Sequence, residues 1–101
     1  NGEIILYHKI HSISGQTILA VCDKELVGKS LKEKGVNFFV SPSFYKGELI
    51  GEEGLKKLLR ESDSANLIGE KAVGIALREG IVLEEDVIRI KNVPHVQIYK
   101  V

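Results

Sequence analysis

The sequence predicts an α+β domain in which a mostly antiparallel mixed sheet of about five strands packs on an antiparallel helix pair. Runs of β-branched and aromatic residues stand near both ends of the chain, and two later stretches repeat their apolar residues with a helical period. With 101 residues, 44% of them hydrophobic, the chain is large enough for one core. Residues 1–101 are therefore predicted to form a single globular domain.

The elements of the first half are predicted to be mainly extended. Asp23 follows a strand and is expected to cap a short helix, although Gly28 weakens that helix. Pro42 ends the third strand because proline donates no backbone hydrogen bond. In order, the predicted elements are a strand over 3–10, a turn over 11–15, a strand over 16–22, a helix over 24–35, a strand over 36–40 and a loop over 43–48.

The second half is predicted to contain two helices and a terminal hairpin. Gly51 caps the first helix, and Gly80 ends the second, whose apolar residues share one broad face. Gly69 falls inside that second helix, where it costs about 0.8–1 kcal/mol relative to alanine and lacks a local explanation. The predicted elements are a helix over 50–61, a turn over 62–64, a helix over 64–80 and strands over 87–91 and 95–101.

The composition narrows the function classes. Fourteen basic residues balance fourteen acidic ones, so broad attraction to nucleic acid or an anionic membrane is not expected. Cys22 has no partner cysteine, which excludes an internal disulfide and favours a cytoplasmic location. No apolar run is long enough to span a membrane, and no leader sequence is recognised. The preference for glutamate and lysine over aspartate and arginine favours a thermophilic source.

No motif predicts a cofactor, a metal site or a catalytic residue. Gly28-Lys29-Ser30 lacks the earlier glycine of a phosphate-binding loop, because Asp23 stands at that position. His8 and His11 are three residues apart, a spacing that points them to opposite faces of a strand. No serine lies in a nucleophile elbow. Whether the protein is an enzyme stays open at this point.

The loop after the third strand supplies four candidate binding residues: Phe44, Tyr45, Lys46 and Glu48. Either the two rings cap the core, or the loop is an exposed recognition element. Asn66, Glu70 and His95 complete the candidate set.

Asn66 and Glu70 lie one predicted helical turn apart, at the border of the apolar face. Either they satisfy neighbouring backbone groups, or they face a small pocket. His95 follows Pro94 and is either a structural hydrogen bonder or a titratable group in that pocket. The hypothesis is that the helix brings its polar residues toward His95 and the aromatic loop.

Four sequence motifs occur together. The first is Cys22-Asp23 with residues 26–29, and the second is residues 43–45 with residues 47–49. The third spans residues 65–73, and the fourth spans residues 93–98. On these motifs the chain resembles the archaeal domain-of-unknown-function family number 424 over nearly its whole length. Residues 30–37 carry no motif of the family, and Asn92 stands where glycine is expected. The resemblance implies an archaeal cytoplasmic protein that is associated with RNA processing and translation, and it brings no assigned activity.

Two hypotheses follow. The first is a non-catalytic binding or adaptor domain of the RNA and translation machinery, with a protein or ribonucleoprotein partner. The second is a small-molecule enzyme or sensor whose pocket is formed by Asn66, Glu70 and His95. In that pocket, Glu70 or His95 acts as acid or base and Asn66 orients the ligand. Oligomeric state and strand order are left open.

Overall fold

The computed structural model describes residues 3–100, which form two β-sheets and three α-helices. The helices are α1 (Pro42–Tyr45), α2 (Glu52–Glu61) and α3 (Glu70–Arg78), and short 3-10 helices span Lys24–Leu26 and Glu84–Asp86. The strands are β1 (Leu6–Ile13), β2 (Gln16–Asp23), β3 (Ser30–Glu33), β4 (Val36–Phe39), β5 (Glu48–Ile50), β6 (Ser64–Ile68), β7 (Ile88–Ile90) and β8 (Val93–Tyr99). None of the helices within 3–100 is long and apolar enough to cross a membrane.

Six strands form the main sheet in the order β5-β1-β2-β6-β8-β7. Only the β2–β6 pair is parallel, and the remaining neighbours in this sheet are antiparallel. Strands β3 and β4 form a separate antiparallel hairpin. The predicted α+β class with a mostly antiparallel mixed sheet is confirmed, with six strands in the main sheet where about five were expected.

Two predicted hairpins and one predicted helix are confirmed. β1 and β2 pair around a turn at Ser14 and Gly15, and β7 and β8 pair around Lys91 and Asn92. All four turn residues have positive φ, as two-residue hairpin turns require. Helix α2 begins after Gly51, as predicted. The predicted residue 101 of the last strand lies outside the described residues.

The predicted helix over 64–80 is wrong in its first part. Residues 64–68 form β6, which lies between β2 and β8 in the middle of the sheet, and α3 begins only after Gly69. The alternation of polar and apolar residues in β6 covers only 64–67 and is broken by Ile68, so Ala65 and Ile68 also fit the helical spacing that continues into α3. Because β6 separates α2 from α3, the predicted helix-to-helix turn over 62–64 is also wrong. The antiparallel pairing of the two helices therefore no longer follows from a short connection between them.

Two other local predictions are wrong. The helix expected over 24–35 is a single 3-10 turn followed by β3, because Gly28 adopts a φ of +85° that ends the turn. The loop expected over 43–48 instead contains α1 and the start of β5. Pro42 occupies the first position of α1, where its missing N–H costs nothing.

Two apolar clusters lie on opposite faces of the main sheet. On one face, which we call the helix face, α2 and α3 pack on Leu19, Val21 and Leu67. On the other, the hairpin face, the β3–β4 hairpin and α1 pack on Cys22 and Ile68. The helix face is apolar, whereas the hairpin face also carries polar side chains, and it holds the candidate site.

Candidate functional site

The hairpin face presents three rows of side chains across β2, β6 and β8. In each row the three residues are register partners, so their side chains project on the same side of the sheet. Cys22 and Ile68 of the first row are fully buried, whereas Tyr99 of the third row is 74% exposed. The rows are Cys22, Ile68 and His95; Ala20, Asn66 and Gln97; and Ile18, Ser64 and Tyr99.

These rows divide the hairpin face into two halves with different surroundings. The covered half consists of Cys22, Ile68 and His95, together with the hairpin and α1 residues that lie over them. The open half consists of Ile18, Ser64, Gln97 and Tyr99. Asn66 stands at the border between the two halves.

Asn66 links two of the predicted residues in the covered half. Its Oδ1 accepts a hydrogen bond from the Tyr45 hydroxyl at 2.6 Å and lies 3.1 Å from His95 Nε2. Because an amide oxygen only accepts, His95 Nε2 must carry the proton of the second bond. Both acceptor positions of the Asn66 oxygen are then used within the protein, and Tyr45, Asn66 and His95 form one network.

Burial keeps this network uncharged at neutral pH. It raises the pKa of the Tyr45 hydroxyl and lowers the pKa of the His95 imidazole, because each charged form would lose its hydration. Burial also raises the pKa of the neighbouring Cys22 thiol to about 12, with smaller contributions from Asp23 and Glu25. A neutral imidazole and a protonated thiol favour a structural role for the covered half, since a nucleophilic cysteine needs its thiolate.

Aromatic rings connect the covered half to the open half. Phe38 of the hairpin lies 5.2 Å from His95, measured between ring centroids. Phe44 meets Tyr45 edge to face at 4.9 Å and stacks on His11 at 4.6 Å with an interplanar angle of 12°. His11 Nε2 also lies 2.8 Å from the Phe44 carbonyl oxygen, which fixes the stacked pair at the border of the open half.

The structure places Lys46 and Glu48 at the β5 edge of the sheet, beyond β1 and β2. The Lys46 ammonium lies 5.9 Å from the centroid of the Tyr7 ring. The Glu48 carbonyl oxygen lies 2.9 Å from His8 Nδ1. Both residues are exposed, and they belong to a different part of the sheet from Asn66.

Glu70 is not brought into the network of Tyr45, Asn66 and His95. It is the first residue of α3, and its side chain is 70% exposed. Its Oε2 lies 3.5 Å from Arg89 Nη1, so the nearest charge partner comes from β7. The expected one-turn spacing from Asn66 does not apply, because Asn66 lies in β6 and Gly69 separates that strand from α3.

Asp23 and Gly69 form a structural site that the sequence patterns did not identify. The Asp23 carboxylate accepts hydrogen bonds from the Lys71 and Ala72 amides at 3.0 and 2.9 Å, so it caps α3 across the sheet. Burial raises the pKa of Asp23, and the two amide bonds oppose that rise. Gly69 has a φ of +117°, and a Cβ there would collide with this carboxylate.

The open half borders two hollows that meet at Ile18, Ser64 and Tyr99. The smaller has a volume of about 160 Å³, and the larger, beside the β1–β2 turn, about 520 Å³. Of the smaller hollow's lining, sequence reasoning had selected only Phe44 and Asn66. Its lining residues are Ile18, Phe44, Ser64, Ala65, Asn66, Gln97 and Tyr99.

The side chains that commonly bind metal ions do not converge. Within residues 3–100, no three histidine, cysteine, aspartate or glutamate side chains come together as a ligand set. Cys22 is buried. His8 and His11 each have one ring nitrogen beside a backbone carbonyl.

The comparisons with known proteins agree with the fold. The family model described as "Protein of unknown function (DUF424)" matches residues 11–101. A crystal structure of an uncharacterized conserved protein from Methanopyrus kandleri is similar, with 30% sequence identity and a TM-score of 0.80. The match covers 94% of this chain and 90% of that one. Among curated proteins, none matches this sequence.

Proposed function

The chain belongs to the DUF424 family of proteins of unknown function, and on that premise we propose that it is a non-catalytic binding domain of the RNA and translation machinery. Its proposed partner is a ribonucleoprotein that offers unpaired bases. The proposed contact surface is the open half of the hairpin face, together with the Phe44–His11 pair.

One observation carries the proposal: an exposed ring, Tyr99, and a half-buried ring, Phe44, flank a part of the sheet that the described helices and the β3–β4 hairpin leave uncovered. Tyr99 is 74% exposed, and Phe44 lines the same hollow while it stacks on His11. Unpaired bases stack on aromatic side chains, and proteins read them through hydrogen bonds to their exposed edges. Ser64 and Gln97 supply polar groups between the rings.

The charge distribution supports unpaired bases rather than a bare duplex as the ligand. Duplex binding is driven mainly by many lysine and arginine contacts to phosphates, and this chain has a net charge of zero. One cation lies beside the aromatic pair: the Lys9 ammonium donates a hydrogen bond to the carbonyl of Ser43, the residue before Phe44. Binding through stacking with few phosphate contacts is expected to depend weakly on salt.

The proposal of a non-catalytic domain rests on the covered half. Its polar side chains bond to one another, and burial leaves His95 and Tyr45 uncharged near neutral pH. A general acid or base works best when its pKa lies near the working pH and its proton is within reach of a substrate. The Asn66 oxygen shared by Tyr45 and His95 favours a structural role instead.

The direct test is a fluorescence-anisotropy titration with a labelled single-stranded RNA octamer and with the same sequence as a duplex. We expect the single strand to bind and Tyr99→Ala to weaken it by about 5- to 150-fold, the equivalent of roughly 1–3 kcal/mol for one stacked base. Tyr99→Phe keeps the ring and should retain most of the affinity. Phe39→Ala, an exposed ring on β4, is the matched control.

Two results would overturn the proposal. The first is equal binding of the single strand by the wild type and by Tyr99→Ala, or no binding at all. The second is an affinity capture from the source organism at low salt that recovers no ribosomal, transfer-RNA or translation-factor component.

The alternative is a small-molecule enzyme or sensor with a pocket at Asn66, Glu70 and His95. One observation favours it: Asn66 lines the hollow of about 160 Å³ while it is bonded in the network with His95. That volume is below the roughly 300 Å³ of typical ligand sites, and Glu70 lies outside the network. A thermal-shift screen with nucleosides tests it, because a stabilising nucleoside should lose its effect in His95→Gln and keep it in Phe39→Ala, whose ring lies outside the hollow.

We also propose that this protein is archaeal, cytoplasmic and adapted to heat. The family resemblance supports the archaeal and cytoplasmic origin, and the preference for glutamate and lysine supports heat adaptation. A thermal unfolding midpoint above about 90 °C is the expected result. A midpoint in the range of about 45–65 °C, typical of mesophilic domains, would contradict heat adaptation.

A further inference from the structure

Strand β8 is only partly covered by its outer neighbour. β7 begins at Ile88, which pairs with His95, so residues 96–99 have a strand partner on the β6 side alone among the described residues. An uncovered strand edge presents backbone donors and acceptors that another extended chain can pair with. The main sheet is therefore open at this edge for about four residues.

Backbone direction identifies the groups that face the opening. The Pro94 carbonyl accepts from the Gly69 amide, so its backbone is directed toward the β6 side. Because backbone groups alternate in direction along a strand, the odd-numbered residues of β8 are directed the other way. Gln97 and Tyr99 thus direct both their N–H and their C=O groups to the side of β8 that β7 leaves uncovered.

Exposed apolar side chains and an acidic margin both lie beside this edge. A hollow of about 300 Å³ runs between the edge and the segment that carries Ile81, Val82 and Asp86. Leu83 and Ile88 nearby are 59% and 64% exposed.

The acidic margin is the 3-10 helix Glu84–Asp86, which adds three carboxylates. Arg89 is the basic residue that the described part of the chain places beside this margin. Its guanidinium lies 3.8 Å from Glu84 and 3.5 Å from Glu70. Arg89 is paired with Glu70 and Glu84, and no ion pair is shown for Glu85 or Asp86 among the described residues, so the edge favours a positively charged partner.

We propose that residues 96–99 of β8 accept an extended segment of another protein as an added strand, and that this segment alternates basic with apolar residues. The main-chain pairing supplies affinity, and the alternating side chains supply specificity. The apolar residues would cover Ile88 and Tyr99, which project on the hairpin face. The basic residues would project on the helix face, toward Glu84–Asp86. This edge shares Gln97 and Tyr99 with the RNA contact proposed above. It is recognised through backbone groups and the nearby carboxylates, so the inference does not rest on RNA binding.

A second copy of this chain is a poorer occupant of the same edge. Pairing two β8 edges would bring two copies of Glu84–Asp86 toward one interface, and like charges across strands are destabilising. Self-association is therefore an outcome that the test must distinguish.

The test is an anisotropy titration of the full chain with a labelled nine-residue peptide of alternating lysine and valine. The comparison peptides are the glutamate–valine counterpart and a lysine–valine peptide N-methylated at alternate residues, which cannot donate to β8. We expect at least tenfold weaker binding for both comparison peptides. Glu85→Lys should weaken the lysine peptide and strengthen the glutamate peptide.

A pair of variants at one position separates main-chain pairing from charge attraction. Gln97→Pro removes the N–H that faces the added strand and leaves the β6 ladder intact, whereas Gln97→Ala retains that N–H. We expect at least tenfold loss for Gln97→Pro and nearly unchanged binding for Gln97→Ala. Equal affinity for the plain and N-methylated peptides would overturn the inference, as would a stable dimer by sedimentation that excludes the peptide.

Discussion

The covered and open halves of the hairpin face are built on the same three strands, yet among residues 3–100 only the covered half has a layer above it. In the covered half, Tyr45 and His95 share the oxygen of Asn66 beneath the β3–β4 hairpin. In the open half, Gln97 and Tyr99 are exposed and line hollows. Strand alternation places polar and aromatic side chains in both halves, and coverage separates those that hold the fold from those available to a partner.

The largest loss of stability is expected beside the covered half, where Gly69 contacts Asp23. Gly69→Ala combines a strained φ with a collision against the Asp23 carboxylate that caps α3, and should lower the unfolding free energy by about 3 kcal/mol or more. Gly28→Ala is the control, because its φ is +85° but its Cβ meets open space, so about 1 kcal/mol is expected. Denaturant unfolding measures both, and equal losses would refute the role of Asp23.

The next effect separates the two halves directly. Asn66→Leu leaves the Tyr45 hydroxyl and the His95 N–H without their acceptor, and should cost about 2 kcal/mol. Gln97→Leu in the open half should stay within about 0.5 kcal/mol. The stability losses of the single variants Asn66→Leu and Tyr45→Phe should add up to more than the loss measured for the double variant. Strict additivity in urea unfolding would show that the two residues are not coupled.

A smaller effect concerns pH. Burial lowers the pKa of His95 in the folded state, so the unfolded chain binds this proton first as the pH falls through about 6.5. The wild type should therefore lose stability as the pH falls through that value toward the lower folded pKa. His95→Gln lacks this component, so its stability should fall less between pH 8 and pH 5. Parallel pH profiles of unfolding free energy for the two proteins would contradict a buried neutral imidazole.

The smallest change in stability is expected in the open half. Tyr99 is 74% exposed, so Tyr99→Ala should change the unfolding free energy by no more than about 0.5 kcal/mol. A loss comparable with that of Asn66→Leu, measured in the same urea titration, would mean that the open half also holds the fold together.

The parts of the fold that depend on local signals were predictable. The β1–β2 and β7–β8 hairpins follow from extended runs around short turns, and α2 follows from a helical period with Gly51 before it. Strand β6 was misassigned because its alternation of polar and apolar residues is short and is broken at Ile68, so Ala65 and Ile68 also fit the helical spacing of α3. Gly69 had no local explanation because its constraint comes from Asp23, on a different strand.

The site was only partly accessible to sequence reasoning. Tyr45, Asn66 and His95 were selected because local rules left them unexplained, but their convergence depends on the register of β6 with β8 and on the position of α1. Glu70 was selected on a helical spacing that does not exist. Tyr99 and Gln97 were missed because they have the pattern of ordinary strand residues, and only the absence of a covering layer distinguishes them.

The most direct test of the difference between the halves is an amide chemical-shift titration of the isotope-labelled protein with the single-stranded RNA octamer. The account predicts shifts at Ile18, Ser64, Gln97 and Tyr99, with Cys22 and His95 unchanged. Shifts centred on Cys22 and His95, with the open half unchanged, would contradict it.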